Sequence, residues 1–507
     1  MFVIKTKPRR LPLRLAQLVR LLHHRPRNTR DNLSNLLGPR GNEETAIGRG
    51  CNIMTTVTRA RLSVRAKEIT AAELERYTAL TPGSQRANAH ARQVIPLGVP
   101  SSFQAYDPWP IVAARGAGAS LWDVDDNQYI DFNMGFGALY VGHHHPVLTA
   151  ALHRQIADGV LYVTPCESNA SVGELLRGRF GHDQWRFTNS GTEATMDAIR
   201  LARGFTGRSK IVKVEGGYHG HHDAVMVSMK PSVDKAGPAD APFSLASTAG
   251  LPNGTLDQVV VVPFNDPEAL QRALSSYDIA CFIVEPVMEN IGICLPYDNY
   301  LQKARDLCSQ HGTMLIFDEV KTGITAHVGG AAGHFGVRPD ITCLAKSIGG
   351  GLPLGAFGAR AELMQQITDL KVVHQGTFNG NPLSMAAATA TLTEICTQAA
   401  FDRTASLNAD MLDDAQRIID EYDLPAHTVQ MGAKGCITWS DTPVRNYRDY
   451  KATDFDLAFA QWIYGINRGI LLPPGLDEQW LVSVQHTKAE ADHNSDVFES
   501  FAKELTR

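Results

Sequence analysis

Short apolar runs that do not alternate with polar residues recur through the middle of the chain. They are Trp185 to Thr188, Lys210 to Val214, Val259 to Pro263, Ala280 to Glu285, Met314 to Val320 and Ile341 to Leu344. Between them lie stretches with helical spacing, such as Glu193 to Gly204, Pro267 to Tyr277 and Tyr297 to His311. Runs without alternation fit strands covered on both faces. Their alternation with helices predicts an α/β fold, a mostly parallel sheet wrapped by helices. Upstream, Ala60 to Tyr77 reads as a helix and Pro96 to Pro110 as extended chain. Ile111 to Ala114 and Ser120 to Asp123 then read as short strands around a Gly turn. Downstream, Leu383 to Cys396 and Asp402 to Tyr422 read as long helices. Short strands follow at Cys436 to Trp439, Ile470 to Leu472 and Trp480 to Val484, and a last helix runs from Lys488 to Leu505. This tail predicts a second, smaller α+β domain.

Composition removes several classes. The chain has 507 residues, 44% hydrophobic and 20% charged, enough to bury a large core. No apolar stretch approaches the roughly 18 residues of a membrane span. Eight scattered cysteines without C-x-x-C spacing predict reduced thiols and a cytoplasmic protein rather than a disulfide scaffold or zinc site. Net charge is −5, but residues 1–50 carry 11 Lys and Arg against 3 Asp and Glu. The remaining 37 positive and 50 negative side chains give the body −13. Such a body offers no basic footprint for nucleic acid.

The basic N-terminal stretch fits a mitochondrial-type targeting peptide, a solvated arm, or an upstream extension without a fold. Its apolar run, Leu18 to Leu22, is broken by Arg20 and too short for a secretory signal. The last reading is preferred, because Met54 precedes a plausible start of the globular chain. Residues 1–53 are therefore set aside. The expected organisation is 54–130 as an N-terminal part of the small domain, 131–395 as the large domain and 396–507 as the rest of the small one.

Three places carry chemistry. Ser190-Gly191-Thr192-Glu193 follows a strand and opens a helix with capping-box spacing. Its first-turn N–H groups suit an anion, although taken alone a plain helix cap is the preferred reading, since Ser caps helices of every kind. Met314 to Phe317 runs into Asp318 and Glu319 at the carboxyl end of a buried strand, where α/β sheets place ligands. The acids could instead simply face solvent, and no phosphate-binding G-x-x-x-x-G-K-[ST] loop accompanies them. Lys346 ends a third apolar strand just before Gly349 to Gly351. Desolvation there would free its amine as a nucleophile, while a snorkelling surface lysine is the bland alternative. An anion cradle, a carboxylate for a ring nitrogen and a Schiff-base lysine are together what pyridoxal 5'-phosphate needs. The clusters His143 to His145 and His219 to His222 lack H-E-x-x-H spacing, and no metal is predicted.

With these residues in view, the sequence resembles the class III, fold-type I aminotransferases, and within them the glutamate-1-semialdehyde aminomutase subgroup. The resemblance runs from about Ser84 to the C-terminus. It rests on NSGTEA (Asn189 to Ala194), GYHGHHD (Gly217 to Asp223), VEPVMENIG (Val284 to Gly292), IFDEVKTG (Ile316 to Gly323), LAKSIGGGLPLGAFG (Leu344 to Gly358) and HQGTFNGNPL (His374 to Leu383).

The resemblance implies a large domain with a seven-stranded type of sheet, pyridoxal phosphate as cofactor, and Lys346 as its covalent partner and proton shuttle. Asp318 would hold the ring nitrogen protonated, and Val320 and Tyr218 would sandwich the ring. Ser190, Gly191 and Thr192 would bind the phosphate, and Thr377 would reach it from a neighbouring subunit, implying a homodimer with interfacial sites. Asn290 would lie near the phenolic oxygen, and His219 belongs to a loop on the cofactor side.

Many relatives that use glutamate as donor carry Glu where Asn290 stands and a paired Arg where Glu478 stands. The Asn290/Glu478 combination resembles the aminomutases, and Glu478 is counted with the catalytic and substrate-binding residues. Gln104 cuts the other way, since it replaces an Arg that binds the substrate carboxylate in the aminomutases. The expected function is a pyridoxal-phosphate aminotransferase acting through a Lys346 Schiff base on a small-molecule amino donor and oxo acceptor. The alternatives are the aminomutase itself and a catalytically silent cofactor-binding homologue.

Overall fold

Seven strands build the central sheet. They are Gln184–Thr188 (β1), Lys210–Val214 (β2), Val259–Val262 (β3), Ile279–Val284 (β4), Met314–Asp318 (β5), Ile341–Leu344 (β6) and Gly355–Ala359 (β7). The computed structural model describes residues 44–474 and 478–507, with side chains from Arg59 onward. The expectations made for residues 1–43 lie outside the described residues. The order across the sheet is β1-β7-β6-β5-β4-β2-β3. All neighbours pair in parallel except β7, which runs antiparallel to both β1 and β6. Every residue of β4 and β5 is buried, as expected for strands covered on both faces.

Two boundaries correct the sequence reading. β5 ends at Asp318 rather than Val320, because Asp318 Oδ1 accepts the Val320 N–H at 3.1 Å and turns the chain out of the ladder. The helix expected over Ala60 to Tyr77 spans Glu44–Leu80. β7 was not foreseen, because Gly-Ala-Phe-Gly-Ala has poor strand propensity. Glycine is required there by packing, since a Cβ at Gly358 would lie 2.6 Å from the Trp185 indole across the pair.

The Ala-rich segment is helical over Pro382–Ala390 and then widens into a π turn over Thr391–Ile395. There the Arg179 guanidinium donates to the Leu392 and Cys396 carbonyls. Ala113–Ala117, Ser120–Asp123 and Gln128–Asp131 form a small sheet, in which Gln128–Asp131 pairs in parallel with Ile470–Leu471 from near the other end of the chain. His427–Met431, Lys434–Thr438 and Trp480–Leu481 form a third sheet. Leu62, Ala66 and Ile69 pack into one apolar cluster with Ile418, Phe498 and Phe501. Among the described residues no helix is long and apolar enough to cross a membrane. The described cysteines are all free thiols, buried except for the half-buried Cys166.

Candidate active site

Because β1, β2, β4, β5 and β6 point the same way, their carboxyl ends deliver side chains to a single edge of the sheet. β1 leads into Ser190, β2 into Tyr218 and His219, β4 into Glu285 and Asn290, β5 into Asp318 and Val320, and β6 into Lys346. Asp318 lies directly across the β5–β6 ladder from Cys343, which places it beside the strand that carries the lysine.

Ser190 caps the helix Gly191–Thr206, accepting the Glu193 N–H at 3.2 Å, while the Glu193 carboxylate takes the Asn189 N–H at 2.6 Å. Neighbouring first-turn N–H groups of such a helix have no partner within it and point outward, with the dipole, toward an anion. The Thr192 hydroxyl meets His221 Nδ1 at 3.1 Å. Gly191 is pressed against Val320, and a Cβ there would lie 2.8 Å from both Val320 methyl carbons. Overpacking of this kind costs about 1–3 kcal/mol. We therefore expect Gly191→Ala to weaken cofactor affinity about tenfold, read from the dissociation constant in a cofactor titration.

Asp318 is buried and held on both oxygens, Oδ1 by the Val320 N–H and Oδ2 by His219 Nδ1 at 2.8 Å. Burial lowers the pKa of His219 against the opposing pull of Asp318, so the neutral ring donates its Nδ1–H to the carboxylate. Its buried Nε2 has no partner. Glu319, the neighbouring acid, points the other way. It accepts the N–H groups of Ala331 and Ala332 at 2.7 and 2.8 Å and the Thr322 hydroxyl at 2.6 Å. Neither acid faces solvent.

Lys346 sits at φ 52°, a left-handed conformation that costs a lysine about 1–3 kcal/mol. Its Nζ donates to the Phe136 carbonyl at 2.8 Å. Desolvation, aided by the charges of Lys321 and Lys434 and opposed by Glu478 and Glu289, pulls its pKa down to about 7. An amine so placed is available unprotonated near neutrality.

Glu285 went unremarked in the sequence, although it ends an apolar strand just as Asp318 does. It organises two expected site residues, accepting the Tyr218 N–H at 3.0 Å and Asn290 Nδ2 at 2.7 Å. Burial, and then the Asp318 charge, raise its pKa to about 7. Lys321, Glu289 and Lys434 also went unremarked, and they form a buried charge cluster with Glu478. Thr377 is exposed on this chain, in a segment that also exposes Phe378. Gln104 is half-buried and folded back on its own turn, its Oε1 accepting the Ser101 N–H at 3.0 Å. The adjacent Phe103 packs edge-on against Phe136, with ring centroids 4.8 Å apart, so this turn borders the lysine.

These residues fit pyridoxal phosphate. A capped helix terminus offers the anion cradle, Gly191 leaves space that a Cβ would fill, Asp318 is an aimed carboxylate, and Lys346 is a desolvated amine. The family model for aminotransferase class-III matches residues 102–454. The chain belongs to the class-III aminotransferase family.

As such it belongs with enzymes that use pyridoxal phosphate. Among relatives of this class-III aminotransferase, glutamate-1-semialdehyde 2,1-aminomutase 2 of Exiguobacterium sibiricum is 39% identical over 432 residues, covering 83% of this chain and 97% of that protein. A glutamate-1-semialdehyde aminomutase from Pseudomonas aeruginosa PAO1 superposes with a TM-score of 0.81 at 28% identity, covering 87% of this chain and 99% of the other. An omega-transaminase from Sphaerobacter thermophilus superposes with a TM-score of 0.79 at 34% identity, covering 83% and 97%.

Proposed function

We propose that this class-III aminotransferase moves an amino group between a small amino compound and an oxo compound, with Lys346 as covalent anchor and proton carrier. The observation that carries this reading is the placement of Lys346 and Asp318 at the carboxyl ends of adjacent parallel strands. When bound, the cofactor supplies an aldehyde for the amine and a ring that accepts electrons from a broken C–H bond. Asp318, fixed by His219, keeps the ring nitrogen protonated. Ser190, Gly191 and Thr192 bind the phosphate, and Val320 and Tyr218 hold the ring faces. Asn290, held by Glu285, supports the phenolic oxygen. Lys346 would take the proton from the substrate carbon that bears the nitrogen and return it in the 1,3-shift.

Thr377 completes the phosphate site of a second copy, which makes the protein a homodimer; its exposure on the single chain is what that role requires. We assign residues 131–395 to the cofactor domain and 54–130 with 396–507 to the smaller one. The reduced thiols suit a cytoplasmic enzyme.

Gln104 argues the substrate. Its carbonyl oxygen is spent on its own turn, and a neutral amide does not replace a bidentate Arg–carboxylate pair, worth about 1.5–3 kcal/mol. The preferred substrate therefore lacks the carboxylate of glutamate semialdehyde at that position. We expect Gln104→Arg to raise kcat/KM for carboxylate-bearing substrates about tenfold; an unchanged value across a substrate panel would show that residue 104 does not reach the pocket.

The aminomutase is the second reading, favoured by the combination of Asn290 with Glu478 and by the relatives named above. Supplying glutamate 1-semialdehyde without an amino donor separates the two. Steady 5-aminolevulinate formation would establish the mutase and overturn intermolecular transfer.

A further inference from the structure

Four successive residues, Met134 to Gly137, sit in the left-handed region, at φ 44°, 62°, 55° and 79°. Glycine takes that conformation freely, but Met134 and Phe136 take it against the clash of their own side chains. Strain of this kind persists only where the surroundings hold it. Here the Asp131 carboxylate accepts the Met134 N–H at 2.8 Å, and the Asn133 side chain accepts the Phe136 N–H at 3.0 Å. The Leu139 N–H closes the turn on the Met134 carbonyl at 2.9 Å, and Phe103 packs edge-on against the Phe136 ring.

The turn presents two consecutive carbonyls to the residues that follow β6. Phe136 accepts Lys346 Nζ at 2.8 Å, and Gly137 accepts the Ser347 hydroxyl at 2.6 Å. Lys346 is itself left-handed, at φ 52°. Consecutive residues of one strained turn thus hold consecutive residues of another. The first bond is made by the reactive amine, the second by a buried serine that the roles above leave unused. A carbonyl only accepts, so the bond to Phe136 fixes an N–H of the neutral amine and leaves its lone pair free. A lysine side chain has many rotamers, and its amine rests on one acceptor only if the backbone beneath it is fixed as well. The serine hydroxyl supplies that second point.

We propose that Ser347 is a positioning residue for the free amine of Lys346: by pinning the lysine's backbone to Gly137 it keeps the amine on the Phe136 carbonyl, the pose from which it joins the cofactor. The proposal rests on the assignment of Lys346 as covalent anchor. Joining forms a bond between the amine nitrogen and the aldehyde carbon, and the aldehyde oxygen leaves as water with the two amine hydrogens.

The test mixes full-length protein, freed of cofactor, with rising concentrations of pyridoxal 5'-phosphate on the alkaline side of neutrality and follows capture by absorbance. The limiting rate reports attack by the amine. The half-saturating concentration reports the phosphate cradle, which lies at the end of β1. Ser347→Ala should lower the limiting rate about fivefold and leave the half-saturating concentration unchanged. Ser347→Cys fills the same space but donates weakly, so its rate should also stay below wild type. An unchanged rate in Ser347→Ala would overturn the proposal, as would a loss that appears equally in the half-saturating concentration. Full recovery by Ser347→Cys would overturn it too, since packing rather than the hydrogen bond would then matter. If Ser347→Ala does not fold, Ser347→Cys decides alone: a slowed limiting rate with an unmoved half-saturating concentration supports the proposal, and a wild-type rate defeats it. Borohydride reduction and peptide mapping of the loaded variants separate the two layers. A tag on Lys346 with an unmoved rate sinks only the positioning role, whereas a tag elsewhere sinks the assignment beneath it.

Discussion

Replacing Lys346 with alanine should lower kcat by at least about 10⁴-fold, because in the proposed function one nitrogen supplies both the nucleophile and the proton carrier. The burial and neighbouring charges that pull its pKa to about 7 are matched to that double duty. Above that value the free amine is neutral and reactive; below it the amine takes up a proton, so the rate at which the apoenzyme captures the cofactor should fall on the acid side with a midpoint near pH 7. Borohydride reduction of the wild-type holoenzyme followed by peptide mapping should place the cofactor on Lys346. The buried lysines Lys213, Lys321 and Lys434 are internal controls, since each is desolvated yet tied to carbonyls or carboxylates. A tag on any of them, or an alanine variant that still turns over, would defeat the assignment.

Asp318→Ala should lower kcat by about 10³-fold while raising the cofactor dissociation constant only about tenfold. The phosphate cradle, the ring-stacking groups and the lysine all remain, so most of the affinity survives. What disappears is the buried carboxylate proposed to keep the ring nitrogen protonated. The alanine also leaves His219 Nδ1–H without its acceptor in a dry site, a loss of about 1–3 kcal/mol of stability. Asp318→Asn separates the two effects. Its side-chain oxygen can still take the Val320 N–H, so the melting temperature should recover more than kcat does. If kcat and affinity fell in equal measure in Asp318→Ala, the carboxylate would be a binding group and not an electronic one.

Much of the site was legible because its parts sit at the ends of apolar runs. Lys346 and Asp318 each interrupt such a run, and Ser190 opens an amphipathic helix right after another. Local chemistry was enough to see an anion cradle, an acid and an amine. It was not enough to choose between Asp318 and Glu319. Adjacent residues in an extended segment point to opposite faces, and only the packed structure shows Asp318 on the His219 side and Glu319 turned toward the Ala331 and Ala332 amides. Glu285 bears the same signature as Asp318 and was passed over, because nothing local says that Tyr218 and Asn290 converge on it.

Sequence alone determined the alternation of buried strands and amphipathic helices, the order of the motifs, and the residue types, Gln104 among them, on which the resemblance and the substrate proposal rest. These are properties of single residues and near neighbours, where apolar period and side-chain chemistry act directly. Tertiary structure decided which charges meet. The Lys434–Glu289 pair joins residues 145 positions apart, and Lys321 meets Glu478 across 157. Such pairings are set by how sheets and turns pack, and in a dry interior that packing determines whether a charge is neutralised, stranded or put to use.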